Sequence, residues 1–372
     1  MERRIVQPSI TVDGLPREFD LLRHGYTMAG WNFTRREVAA AIADHRMLNP
    51  AFELGTNACP WNCDFCFTED PANPEGAKRR LHEEMSLAER LDLIRQAAAL
   101  GARSINFVGA GEPTIDPNFW EILGCIREYG ITPIVYTEAA LRLTDASFVQ
   151  RLYDIGATVV VKVNSLWNEA YQNAIVAGPN ARKRPNAERY FADRQQAIEL
   201  LFAAGFADTT PTRLAFDTIV CRENEAEIPR LHRWAREHNV FVLVVNYLPS
   251  GRSGEEVFYN ALSREEQFAL FAQLAEIDRN EFGIEHASRF PYAGGTPCTI
   301  RGLGLYVKIK GNVLDCPGEG LSLGNVRETS LLDLWEKVRP ITQAFDGGCA
   351  PREAFWTRHA TKGTPRRLPV VR

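Results

Sequence analysis

The run Asn57-Ala58-Cys59-Pro60-Trp61-Asn62-Cys63-Asp64-Phe65-Cys66 places three cysteines in one short loop at the spacing C-x3-C-x2-C. Thiolates are soft ligands, and a crowded trio selects an iron-sulfur cluster, zinc or copper(I) over magnesium or calcium. A cubane cluster held by only three cysteines keeps one iron free to bind a small molecule. Structural zinc fits less well, because it pairs its cysteines and needs a fourth Cys or His nearby. The nearest histidines, His24 and His82, lack that spacing. Eight cysteines in 372 residues are too sparse for a secreted disulfide scaffold.

Working outward, short apolar runs alternate with longer amphipathic ones, the pattern of repeated βα units around a parallel sheet. Strands are expected near 51–56, 104–109, 132–137, 158–164, 213–221 and 240–247, with helices such as 84–101 and 192–204 between them. Six units make a partial (β/α)6 barrel of the α/β class. The cysteine loop directly follows the first strand, at the strand end where such barrels gather their functional groups. Residues 1–49 read as an N-terminal helical cap, too short for a leader-peptide-binding domain; 50–260 read as the barrel, and 261–372 as a linker helix and a C-terminal module. Residues 168–190 read as a long polar loop.

Composition sets further bounds. A formal net charge of -4 gives no electrostatic footprint for nucleic acid or an anionic membrane surface. No apolar run reaches the roughly 18 residues of a membrane span, and the first residues carry no signal-peptide core, so a cytoplasmic protein is expected.

Other segments add chemistry. The second strand ends in Val108-Gly109-Ala110-Gly111-Glu112-Pro113, where glycines permit close backbone approach and a carboxylate can accept from an ammonium group. The fourth carries Lys162 and Asn164 on one face, followed by Ser165. The fifth carries Arg213, Asp217 and Cys221 on one face, with Leu214, Phe216 and Val220 on the other. The third ends in Thr137-Glu138. Cys125 lies in a helical pattern and reads as core.

The cysteine spacing, with the aromatic Phe65 before the third cysteine and a glycine-rich segment one unit later, resembles the radical S-adenosylmethionine (SAM) superfamily. The resemblance implies a [4Fe-4S] cluster on Cys59, Cys63 and Cys66, whose open iron chelates SAM and whose electron cleaves it to a 5'-deoxyadenosyl radical. It implies that Gly109, Gly111 and Glu112 hold the SAM amino group, with Ala110 standing where the family carries a glycine. It implies further that Lys162, Asn164 and Ser165 meet the SAM carboxylate and ribose, and that Glu138 meets ribose or substrate. A reductant such as flavodoxin or ferredoxin is implied as partner.

The C-terminal part repeats the theme. Cys298 and Cys316 enclose an expected hairpin turning at Gly311-Asn312, followed by Leu323-Gly324-Asn325-Val326 and Leu331 to Trp335. This resembles the SPASM and twitch modules of radical SAM enzymes, implying a second, auxiliary [4Fe-4S] cluster with Cys349 as third ligand. The match is partial: where a C-x2-C would end such a module stands Arg352, leaving the fourth site open to substrate or to a residue such as His359. Polar residues expected in the lumen, namely Glu53, Asn106, Glu138, Asp217 and Asn246, favour a hydroxyl-rich small molecule, a sugar, aminocyclitol or nucleoside. The thiol of Cys221 at the barrel mouth favours an epimerase that returns hydrogen to the opposite face. A dehydrogenase using the auxiliary cluster as electron acceptor, a peptide-modifying enzyme, and a cluster-bearing sensor without turnover remain the alternatives.

Overall fold

The computed structural model describes residues 5–6, 24–63, 65–68, 79–177, 185–245, 262–285, 298–318 and 320–345. Its strands are β1 (Ile5–Val6), β2 (Ala51–Glu53), β3 (Ser104–Val108), β4 (Thr132–Thr137), β5 (Thr158–Lys162), β6 (Leu214–Ile219), β7 (Phe241–Val245), β8 (Ile284–Glu285), β9 (Tyr306–Val307), β10 (Asn312–Leu314) and β11 (Ser322–Asn325). β2 through β7 run parallel in sequence order and are the six expected strands; β4 has the expected bounds, and β2, β3, β5 and β6 end one to three residues sooner than the apolar pattern suggested. The partial-barrel reading is therefore observed.

The outward face of these strands packs on helices. Ile105, Phe107, Val135, Val159, Val161, Leu214 and Phe216 are buried against Leu93, Ile94, Ile122, Ile126, Leu152, Leu201 and Leu231. These come from the helices Leu87–Ala99, Phe119–Glu128, Ala146–Asp154, Tyr190–Ala203 and Ile228–Glu237. Burying each such side chain contributes about 1.5–3 kcal/mol. The first of these helices starts three residues after the expected 84 because Ser86 and Glu89 form a capping box there.

The hairpin β9–β10–β11 extends the barrel sheet: β9 pairs in parallel with β2, giving a nine-stranded sheet in the order β11-β10-β9-β2-β3-β4-β5-β6-β7. The turn lies earlier than Gly311-Asn312. Gly311 N–H donates to the Lys308 carbonyl with φ +86°, and Asn312 already begins β10.

Residues 24–34 close the N-terminal end of the barrel, away from the cysteine loop. Met28 packs among Ile134, Val160 and Ala215, Ala29 N–H donates to the Thr212 carbonyl, and the Ser104 and Thr158 hydroxyls donate to the carbonyls of Gly30 and Ala29. The helix Arg35–Ala43 follows and packs on Leu303 and Phe345. The polar stretch 168–190 contains a helix, Glu169–Ala177, where a loop was expected, and residues 178–184 lie outside the described residues. Among the described residues no helix is long and apolar enough to cross a membrane.

A buried charge cluster pins the helix Arg264–Phe282 to the barrel. Arg236 contacts Asp278 at 2.8 and 2.9 Å, His232 Nε2 lies 2.6 Å from Asp278, and Arg236 also donates to the carbonyls of His24 and Gly25. Asp278→Ala strands the buried Arg236 guanidinium, an expected loss of about 3–5 kcal/mol, read as a lowered urea midpoint of the cluster-free chain; an unchanged midpoint would refute this role.

Candidate active site

The cysteine loop is held from three sides. Gly111 and Glu112 donate their backbone N–H groups to the carbonyls of Thr56 and Ala58, at 3.0 and 2.9 Å. A Cβ at Gly111 would collide with the backbone of Asn57 and Ala58. The close approach expected of these glycines is thus made first to the cysteine loop itself. Glu84 Oε1 accepts from the N–H of Asn57 and of Leu81, at 2.9 and 2.8 Å. Asn62 N–H donates to the Val176 carbonyl at 2.9 Å, so the helix Glu169–Ala177 forms the third side. Glu84 and this helix were missed in the sequence, because neither lies in a motif and both contacts span long stretches of chain.

The loop opens on a chamber of about 200 Å³, far beyond the ~10–15 Å³ that one water needs. Cys59, Cys63, Cys66, Phe65, Gly109, Gly111, Glu112, Glu138 and Lys162 all line it. The structure thus brings together most of the residues the sequence singled out.

Glu112 is 2% exposed and saturated by the protein: Oε1 accepts from the Thr114 N–H and the Thr114 and Thr137 hydroxyls, and Oε2 from Glu138 N–H. Burial still raises its pKa. Glu138 accepts from the Tyr190 hydroxyl at 2.7 Å and lies 3.7 Å from Cys63 Sγ. Burial foremost, opposed by Tyr190 and Lys162, pushes it up to about 7. Lys162 Nζ pairs with Asp217 Oδ2 at 2.9 Å and sits 4.7 Å over the Phe65 ring. That pair follows from register, since Lys162 and Asp217 are partners across β5 and β6.

Other expected residues lie elsewhere. Asn164 and Ser165 are buried but do not line the chamber. Asn164 Oδ1 accepts from Ile219 N–H, while the Ser165 hydroxyl accepts from Trp167 and Asn168 N–H and donates to Glu227, closing a turn. Cys221 is 1% exposed and also absent from the chamber wall; its Sγ is 3.0 Å from the Tyr171 hydroxyl, and burial pushes the thiol up to about 12. Arg213 does not reach the lumen: its guanidinium donates to the carbonyls of Leu152, Tyr153 and Ala157 at a helix end. Cys125 packs against the core as expected. Cys298 and Cys316 are buried beside the hairpin, and Tyr306, which lines the chamber, feels charge from both Cys66 and Cys316. Cys349, His359, Arg352 and Asn246 lie outside the described residues.

Residues 54–235 match the family model of the radical SAM superfamily. This part of the chain is a radical SAM domain. Along the sequence, the chain is 24% identical over 331 residues to the PqqA peptide cyclase of Xanthomonas euvesicatoria, covering 81% of this chain and 80% of that protein. It is 23% identical to the GTP 3',8-cyclase of Aeromonas hydrophila and 26% to the mycofactocin maturase MftC of Mycobacterium ulcerans, and spans about half the length of each (53% and 47%). In fold it is similar to native anSMEcpe with bound AdoMet, with a TM-score of 0.58 and 16% identity over 80% of this chain and 83% of that one. Streptococcus suis SuiB gives a TM-score of 0.55 and 17% identity over 84% and 71% of the two chains. The expected kinship with carbohydrate-modifying members does not appear among these relatives.

The domain's cofactors are a [4Fe-4S] cluster and SAM. The chamber fits them. Burial raises the Cys63 thiol well above its ordinary pKa, and Glu138, Cys59 and Cys66 raise it further against the lone opposing charge of Lys162; a bound soft cation is what relieves such crowding. Cys59, Cys63 and Cys66 would hold the cluster, and the Gly109–Gly111 backbone would meet the SAM beside it; Glu112, expected to hold the SAM amino group, instead spends its oxygens on Thr114, Thr137 and the backbone of Glu138 and so positions that segment. Bound there, these cofactors supply a carbon radical for hydrogen abstraction. Anaerobic reconstitution should load about eight irons and eight sulfides, two cubanes, and the Cys59→Ala, Cys63→Ala, Cys66→Ala variant should keep about half. Zinc in place of iron in protein purified without oxygen would refute the assignment.

Proposed function

We propose that this protein is a radical SAM enzyme that abstracts hydrogen from a peptide. The observation that carries this reading is the similarity to a peptide cyclase over four-fifths of both chains (81% and 80%). The SuiB structure solved with its precursor peptide SuiA shares the fold over 84% of this chain, with a TM-score of 0.56.

The lumen supports the same reading. Two of the polar residues that favoured a sugar are occupied by the protein: Glu53 accepts from the Tyr306 hydroxyl and Ile309 N–H, and Asn106 is bonded to Asn49, Pro50 and Trp31. What remains of the wall is largely apolar, with Phe67, Val108, Tyr136, Val160, Leu243 and Ile300. A sugar would leave its hydroxyls unpaired against it.

The epimerase reading rests on Cys221, whose thiol would have to leave Tyr171 and reach the chamber before it could quench a radical there. Cys221→Ala is expected to retain product formation, and loss of an inverted, solvent-deuterium-labelled product in that variant would restore the hydrogen-donor role. Substrate class is tested by isotope transfer. Reduced holoenzyme and SAM, given peptides from cells grown on perdeuterated amino acids, should yield deuterated 5'-deoxyadenosine. Perdeuterated sugars should yield none; the reverse pattern would return the substrate to the carbohydrate class.

A further inference from the structure

Among the described residues that line the chamber, Asp217 carries a carboxylate oxygen left without a hydrogen bond. Both oxygens of Glu112 accept hydrogen bonds from the protein, Glu138 Oε2 accepts from the Tyr190 hydroxyl beside the cysteine loop, and Asn106 uses its oxygen and its nitrogen. Asp217 is different. Its Oδ2 takes Lys162 Nζ at 2.9 Å, while its Oδ1 is buried with no hydrogen-bond partner. Trp61 Nε1 is also unpartnered, but it belongs to the cysteine loop, on the cofactor side. Asp217 stands on β6, with Leu243 as its register partner on β7 and Val160, Ile219, Val245 and Tyr136 completing that part of the wall.

A buried acceptor without a donor costs free energy until a ligand supplies one. Lys162 already neutralises the Asp217 carboxylate, so this part of the wall offers an ammonium no unpaired charge of its own, whereas a neutral O–H or N–H meets the open acceptor without bringing in a charge. We infer that Asp217 and its apolar surround form the substrate subsite, and that the side chain it takes has an apolar body ending in one neutral hydrogen-bond donor, the phenol class. Asp217 acts there as a specificity-determining and positioning residue: it orients the side chain against the apolar wall and leaves its aliphatic carbons facing the cofactor end. The inference rests on this chamber being the reaction site, and it deepens the peptide reading without depending on how the side chain is carried.

Small probes make the test independent of the unidentified substrate. Holoenzyme reconstituted anaerobically with SAM is titrated with 4-methylphenol, 4-methylanisole, toluene and butylamine, with binding followed by saturation-transfer NMR. The native protein should bind 4-methylphenol at least about tenfold more tightly than 4-methylanisole, which has the same body and no donor. Butylamine should bind more weakly than the phenol. Asp217→Leu should bring the phenol-to-anisole ratio to about one, and Asp217→Asn, which keeps a neutral acceptor, should fall between.

Equal binding of phenol and anisole by the native protein overturns the inference whether or not any variant folds. So does a preference that survives in Asp217→Leu, tighter binding of butylamine, or a tenfold loss of SAM affinity in that variant, which would assign the carboxylate to the cofactor. Should perdeuterated sugars rather than peptides donate deuterium while the phenol preference stands, the peptide reading fails and this subsite remains.

Discussion

Two backbone hydrogen bonds, from Gly111 and Glu112 to the carbonyls of Thr56 and Ala58, govern the whole site. They splice the cysteine loop onto the end of the next strand, and they form only because position 111 has no Cβ. With that splice in place, Cys59, Cys63 and Cys66 share one wall with Glu112, whose side chain in turn receives Thr137 and the backbone of Glu138. One chain of contacts therefore runs from the metal loop through the glycine-rich segment to the end of the third barrel strand. A shift in any of them moves together the residues that would hold both cofactors.

The chamber is closed by pieces from distant parts of the chain. Met28 and Trp31 pack with Val160 and Tyr136 of its wall, and the indole N–H of Trp31 donates to Asn106 at 3.0 Å. The hairpin carrying Tyr306 adds a wall by pairing β9 with β2, and Glu53 bonds across that seam to Tyr306 and to Ile309 N–H. The helix Glu169–Ala177 seals the loop from above through Asn62. Walls built in this way lower the local dielectric and so strengthen each charge interaction inside.

Electrostatics set what the enclosure accepts. Three thiols, Glu112, Glu138 and Asp217 face a single lysine among the residues lining it. Burial pushes the pKa of Glu138 up to about 7 and raises those of Glu112 and Cys63 as well, so the enclosure disfavours holding all its anionic charge at once. The only wall carboxylate paired with a cation is Asp217, and it stands on the far strand, where its second oxygen is left for something other than the protein.

The sequence by itself determined the barrel and the metal loop. All six strands lay where the apolar runs placed them, because a strand whose outer face packs on helices must be apolar at least at alternate positions, and C-x3-C-x2-C is a ligand pattern set by local spacing alone. It also marked Lys162 and Asp217 as inward, since alternation fixes a side chain's face. Register decided the rest: only the tertiary structure pairs those two residues, hands Glu53 and Asn106 to partners from 253 and 57 residues away, and sets Cys221 behind Tyr171 rather than in the lumen. A residue's face is a two-residue property readable from the chain, whereas whether its polar atoms remain free depends on neighbours brought in by long-range packing. For that reason the sequence could name the chemistry of the loop, and only the folded chamber could show which polar groups were left to meet a substrate.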